Sequence, residues 1–402
     1  MSTPIELMLI EHGEILSGGT GLQGSILCCR GGILQIGEVN RSALDSLGVP
    51  YDLVDATDHY VLPGLIDPHE HLAGGSGEKG YESATPPIFF EELVRGGITT
   101  VVGTLGVDTT MTVMPGLLGR VKAFQKLGIS ARMYSGGYQI PPATITGSIR
   151  NDLLLVSEVI GAGEICIADD RSTDPNPQEL ARVVSEAYVA GRLSGKAGIS
   201  HFHVGPNSNR LKILRKLIRR YDIDVKSLYP THVERSEKLM DEALEMVHQG
   251  AMIDVDVVEK DLPKWLRYYL DHEGDLTRLT VSSDSFMTGP HNLLEQISAC
   301  VAELQQPLER LIPLVTSNCA RILRLPTKGR VEPGMDADLA LVDRRSLEVT
   351  DVIAGGRPLM RAGRLLKQEP FFEKTDRNLP RPNEQSRLGA SGKLPKDTAG
   401  GH

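Results

Sequence analysis

The sequence predicts an α/β fold: a (β/α)8 TIM-type barrel, with a small β-sandwich domain built from the N- and C-terminal segments. Three observations predict it. From residue 63 to about residue 325, strand-like apolar runs alternate with helix-length amphipathic segments. Side chains able to bind cations or move protons recur at the ends of those runs, as in a barrel, rather than at a single switch point of an open sheet. On either side, residues 1–62 and 326–368 read as short strands between Gly-rich turns, the two parts of the small domain. The last stretch, 369–402, is rich in Pro, Lys, Gly, Asn and Ser, has little apolar content and reads as a flexible tail.

In the N-terminal part, Ile5–Ile10, Ser25–Cys29 and Ile33–Val39 are the expected strands. The apolar run Val61 to Ile66 then reads as one buried strand, whose portion Gly64–Ile66 opens the barrel. The remaining barrel strands are expected at Thr99–Gly103, Ala131–Ser135, Ile165–Ala168, Ile199–His203, Leu228–Thr231, Met252–Val255 and Leu279–Ser282. Between them lie amphipathic helices such as Gln178–Arg192, Ser208–Tyr221 and Ser236–His248. Helices near Leu293–Leu304 and Leu308–Leu323 follow, then strands at Asp338–Val342 and Val349–Ala354.

Composition narrows the function. A formal charge of −9 over 402 residues, scattered in both signs and without a dense basic run, argues against nucleic acid as a partner. No apolar stretch approaches membrane-spanning length, and Ser2 to Glu6 lacks a secretory signal pattern. Five cysteines without framework spacing suit free thiols in a reducing cytoplasm.

The chemistry concentrates at the strand ends. His69 and His71 are two apart, so in an extended chain both imidazoles point the same way. A bare His-x-His is as easily a surface pair. Here, though, His203, His232 and Asp284 also end strand-like runs, and a barrel gathers such ends at one mouth. Four imidazoles and a carboxylate suit one or two divalent ions, most readily Zn²⁺. His201 duplicates the spacing with His203, but it sits deeper in the strand and is read as packing. The turn Gly74-Gly75-Ser76-Gly77 delivers Glu78, and its glycines let backbone lie close against a substrate.

This order of ligands resembles the amidohydrolase superfamily, and within it the isoaspartyl dipeptidase family. The resemblance spans about residues 1–365. It is carried by Pro63 to His71 with Gly74 to Glu78, by Thr144-Ile145-Thr146-Gly147-Ser148, Val159-Ile160-Gly161 and Pro230 to Arg235, and by Ser282-Ser283-Asp284 and Pro333 to Leu339. It implies hydrolysis of a small isoaspartyl dipeptide by metal-activated hydroxide, with Asp284 as general base and then general acid and Tyr138 donating to the oxyanion. It further implies that Glu78 takes the substrate ammonium, that Arg171 and Arg235 take its carboxylates, that Gly75 and Ser76 line the substrate, and that Thr288 adds a hydroxyl. A homo-oligomer is also implied.

One departure stands out. Such barrels usually bridge two metals with a carboxylated lysine, but no lysine lies between Leu127 and Gly195. Glu164 stands at the matching place. Its carboxylate has the charge and two-oxygen geometry of a carbamate on a shorter stem, so either the backbone bulges inward, which Gly161-Ala162-Gly163 would permit, or the metals shift. Two Zn²⁺ per subunit, bridged by Glu164, is the resulting expectation. The alternatives are an amidohydrolase for cyclic amides or N-acyl substrates, such as a dihydroorotase, hydantoinase or deacylase, and a non-catalytic scaffold.

Overall fold

The structure, a computed structural model, describes residues 7–285 and 289–370. Eight parallel strands form the barrel. We label them β1 (Leu65–Glu70), β2 (Ile98–Gly103), β3 (Ser130–Ser135), β4 (Val159–Ile167), β5 (Ile199–Val204), β6 (Leu228–Thr231), β7 (Ile253–Asp256) and β8 (Leu279–Ser282). β1 to β6 make one sheet, and β7 and β8 make a second. The ring closes at β8, where Asp284 N donates to His69 O at 3.2 Å and His71 N to Ser285 O at 2.9 Å. At the other seam, the hydroxyls of Tyr229 and Thr231 on β6 donate to Asp254 on β7 at 3.2 and 2.8 Å. Strands covered on both faces need near-continuous apolar sequence, and β2 and β4 are buried at every position.

The outer helices start where the sequence can cap them. Asn176 makes a reciprocal capping box with Glu179 ahead of Pro177–Ser194, and Ser236 Oγ accepts from Leu239 N ahead of Glu237–His248.

The small domain is two facing sheets. One has four strands: Gly32–Gly37, Ser25–Cys29, Leu7–Glu11 and Tyr51–Asp55. The other has seven, with His59–Pro63 paired antiparallel to Leu339–Asp343 at its centre, which unites the two terminal segments. Met8, Ile10 and Ile26 from the first pack against Ile15, Val61, Leu339, Leu341 and Ile353 from the second.

Several expectations are corrected. The run Val61 to Ile66 is two strands in two sheets, because the backbone changes partner at Gly64: Gly64 N donates to Asp338 O at 2.8 Å, and Leu65 N to Gly97 O at 3.0 Å. Only glycine fits there, since a Cβ would lie 2.2 Å from Thr99 Oγ1. The strand expected at Ile165–Ala168 begins at Val159, and Ala168 leaves it in the left-handed region at φ 54°. The single helix expected at Leu308–Leu323 is three short pieces, interrupted at Pro313 and Thr316. The helix expected from Ser208 starts at Lys212. The strand expected at Ile33–Val39 ends at Gly37. The strand expected at Ile5–Ile10 is Leu7–Glu11, its first two expected residues lying outside the described part.

Candidate active site

Strand parity and the turns just past the strands build the site. His69 is the penultimate residue of β1 and His71 lies just past its end, so both rings enter the barrel mouth: each Nε2 approaches Asp284 Oδ1, at 3.2 and 3.1 Å. His203 lies near the end of β5. His232 and Asp284 leave β6 and β8 in the left-handed region, at φ 61° and 45°. Such backbone is uncommon for residues with a Cβ and is concentrated at functional sites. Here it turns both side chains back over the barrel.

Glu164 completes the set from β4, whose register against β5 shifts between Ala162 and Ile165, at the expected bulge. The Gly163–Glu164 peptide is cis. The two carboxylate oxygens face different histidines. Oε2 lies 3.2 Å from His69 Nε2 and 3.9 Å from His71 Nε2, whereas Oε1 lies 2.6 Å from His203 Nδ1 and 3.4 Å from His232 Nε2. His69, His71 and Glu164 form one cluster with ligand atoms within 4.8 Å of one another, and Glu164, His203 and His232 form another.

These donors suit Zn²⁺ or a similar divalent ion. Two buried atoms support that reading directly: His69 Nε2 and Glu164 Oε2 face each other, yet neither has a hydrogen-bond partner. Buried polar atoms are seldom left so, and a cation would satisfy both. Burial alone would push the Glu164 carboxyl up, but His69, His203 and His232 hold it well below the usual carboxylate range. Asp284 is likewise held low against burial by His69 and His71.

Beside the clusters lies a cavity of about 360 Å³, lined among others by Gly75, Ser76, Glu78, Tyr138, Arg171 and Arg235. Tyr138 OH is 2.9 Å from His203 Nδ1 and 3.4 Å from Glu78 Oε1. Burial, and then the charges of Glu164 and Glu78, push its phenol well above the ordinary value, so it stays a hydrogen-bond donor. Arg171 ion-pairs with Glu78 across the cavity. Arg235 NH2 lies 3.4 Å from His203 Nε2. The structure therefore gathers every expected site residue except Thr288, which lies outside the described residues.

Three further residues support the site. Asp169 accepts two hydrogen bonds from the Arg171 guanidinium at 2.8 Å and sits 3.3 Å from His203 Nε2. Asp256 Oδ2 meets His232 Nδ1 at 2.6 Å. His201, expected only to pack, also reaches His69. One signal for Asp256 was available: Asp254 and Asp256 repeat, at a strand end, the two-residue spacing of the histidine pair.

The described residues include no helix long and apolar enough to cross a membrane. The sequence profile of the amidohydrolase family matches residues 60–359. Among solved structures, the chain is similar to a beta-aspartyl dipeptidase from Fervidobacterium islandicum AW-1, with 33% identity, 91% of this chain and 100% of that chain covered, and a TM-score of 0.86. The same enzyme in complex with β-Asp-Leu dipeptide gives 32% identity, 93% and 100% coverage, and a TM-score of 0.85. Among curated relatives, an adenine deaminase from Geobacillus kaustophilus is 26% identical over 89% of this chain. The chain spans 58% of that relative's length.

Proposed function

Because the chain belongs to the amidohydrolase family, we propose that it is a metal-dependent hydrolase of β-aspartyl (isoaspartyl) dipeptides. The observation that carries this reading is the ion pair between Glu78 and Arg171 across the cavity beside the histidine clusters. A β-aspartyl dipeptide brings one ammonium and two carboxylates. Its ammonium would replace Arg171 as the partner of Glu78, and its carboxylates would take Arg171 and Arg235, so each charge stays paired on binding. Likeness to a beta-aspartyl dipeptidase over the whole of that chain supports the same reading.

Two Zn²⁺ ions would be held by His69, His71 and Asp284 on one side and by His203 and His232 on the other, with Glu164 shared. When bound, such ions bring the pKa of a water close to neutral and polarise a carbonyl. The chain's own groups do the rest. Asp284 takes the proton from the attacking water and returns it to the departing amine. Tyr138 donates to the oxygen that gains charge as the amide becomes tetrahedral. Asp169 fixes the Arg171 guanidinium through two hydrogen bonds, which sets where a substrate carboxylate docks.

A second reading, deamination of adenine or opening of a cyclic amide, is favoured by the curated relatives, an adenine deaminase and a dihydroorotase from Trichlorobacter lovleyi at 25% identity over 46% of this chain. Neither substrate brings the free ammonium that Glu78 would bind. The Glu78→Gln variant tests the choice. It is expected to lower kcat/KM for β-Asp-Leu by about 30- to 100-fold, the worth of a charge-assisted pair, with zinc content unchanged. Equal loss of zinc and turnover would contradict the assignment of Glu78.

A further inference from the structure

We infer that His201 is a positioning residue: it fixes the tautomer of His69 and so delivers the His69 Nε2 lone pair to the metal centre. The inference rests on reading His69 as a metal ligand. His201 lies two residues below His203 on the inward face of β5 and is fully buried. Its ring sits between Tyr134 and Tyr229, with centroids at 5.0 and 4.7 Å and interplanar angles of 27° and 34°. Both tyrosines are tied down, Tyr134 OH to Pro68 O at 3.1 Å and Tyr229 OH to Asp254 and Thr280. Gly163 packs against the root of the side chain, where a Cβ would lie 2.8 Å from that of His201.

In this slot both ring nitrogens have assigned partners. Nδ1 lies 2.9 Å from Tyr229 O, and Nε2 lies 2.9 Å from His69 Nδ1. A carbonyl oxygen can only accept, so the His201 proton is on Nδ1. With Nδ1 committed to a carbonyl, Nε2 is the acceptor of the neutral ring, and its partner is the His69 ring nitrogen. His69 Nδ1 must therefore donate. That leaves His69 Nε2 with its lone pair directed at Glu164 and Asp284, the tautomer a metal requires. The two histidines of the His-x-His pair are thus not equivalent, because His71 Nδ1 is buried without a hydrogen-bond partner.

The test measures apparent zinc affinity by chelator competition on the full chain, for wild type, His201→Leu and His201→Gln. Glutamine offers an acceptor at nearly the reach of Nε2, and leucine offers none. We expect H201L to bind zinc about 10- to 100-fold more weakly and H201Q to stay within about threefold of wild type. An unchanged H201L, or equal weakening in both variants, overturns the inference. Should H201L not fold, ¹⁵N-histidine NMR of zinc-loaded wild type decides: a proton on His69 Nδ1 supports the inference, and a proton on Nε2 overturns it. Wild-type protein that binds no zinc overturns the metal-site reading itself, whereas wild-type zinc binding with H201L unchanged counts against His201 alone.

Discussion

A carboxylate shares one negative charge between two oxygens, and at Glu164 those oxygens face different histidine pairs. In the proposed two-metal site the position would supply what a bridging carbamate supplies, without carbon dioxide as a reagent. The stem is shorter, and the register shift in β4 makes up the reach. Around it, residue type and spacing carried most of the information. His69, His71, His203, His232 and Asp284 were legible because each terminates an apolar run, and strand parity does the rest. Their supports were less legible. Asp169 reaches His203 from just past the end of the neighbouring strand β4, with no local pattern to mark it, and Asp256 reaches His232 across the β6–β7 seam, marked only by its two-residue spacing from Asp254. Tyr138 lies between the two sets: a tyrosine after two glycines is unremarkable in sequence, but its buried phenol stands within hydrogen-bond reach of both His203 and Glu78. Tyr138→Phe removes the one donor without changing the ring. It should lower kcat by about 10²–10³-fold with little change in zinc content, as loss of an oxyanion donor does. An unchanged kcat would remove Tyr138 from the mechanism.

At the scale of the element, the informative position is Gly64. The apolar run through it is unbroken in sequence, so no periodicity marks the point where the chain leaves one sheet for another. The cause is steric and long-range: the backbone passes against the buried side chain of Thr99 on β2. Gly64→Ala places a methyl inside that contact and should destabilise the fold by about 1–3 kcal/mol, the usual range for overpacking. Thr99 Oγ1 has no hydrogen-bond partner, so Thr99→Ala removes the closest clash at little cost and should restore part of the stability in the double variant. Denaturant midpoints of the four proteins measure this; a G64A midpoint equal to wild type would contradict it. Apart from β4, which begins well before its expected start, the barrel strands were legible within a few residues, since burial on both faces demands apolar sequence. The helix expected at Leu308–Leu323 was not, because its periodicity runs through Pro313, whose missing N–H breaks the ladder.

At the scale of the whole molecule, the seven-stranded sheet unites the terminal segments, and the barrel sets five strand ends around one mouth. Outside the ligand clusters, the cavity beside that mouth is lined by one carboxylate, Glu78, and three cationic side chains, Lys79, Arg171 and Arg235, a charge pattern that suits a zwitterion carrying two carboxylates. A fold can host many chemistries, so the barrel alone does not choose a substrate. In the proposed function that choice falls to Glu78, Arg171 and Arg235. The most direct measurement is turnover of β-Asp-Leu, α-Asp-Leu and dihydroorotate, side by side, by zinc-loaded protein in bicarbonate-free buffer. The account predicts hydrolysis of the β-linked peptide alone. Turnover of dihydroorotate with β-Asp-Leu untouched would contradict it.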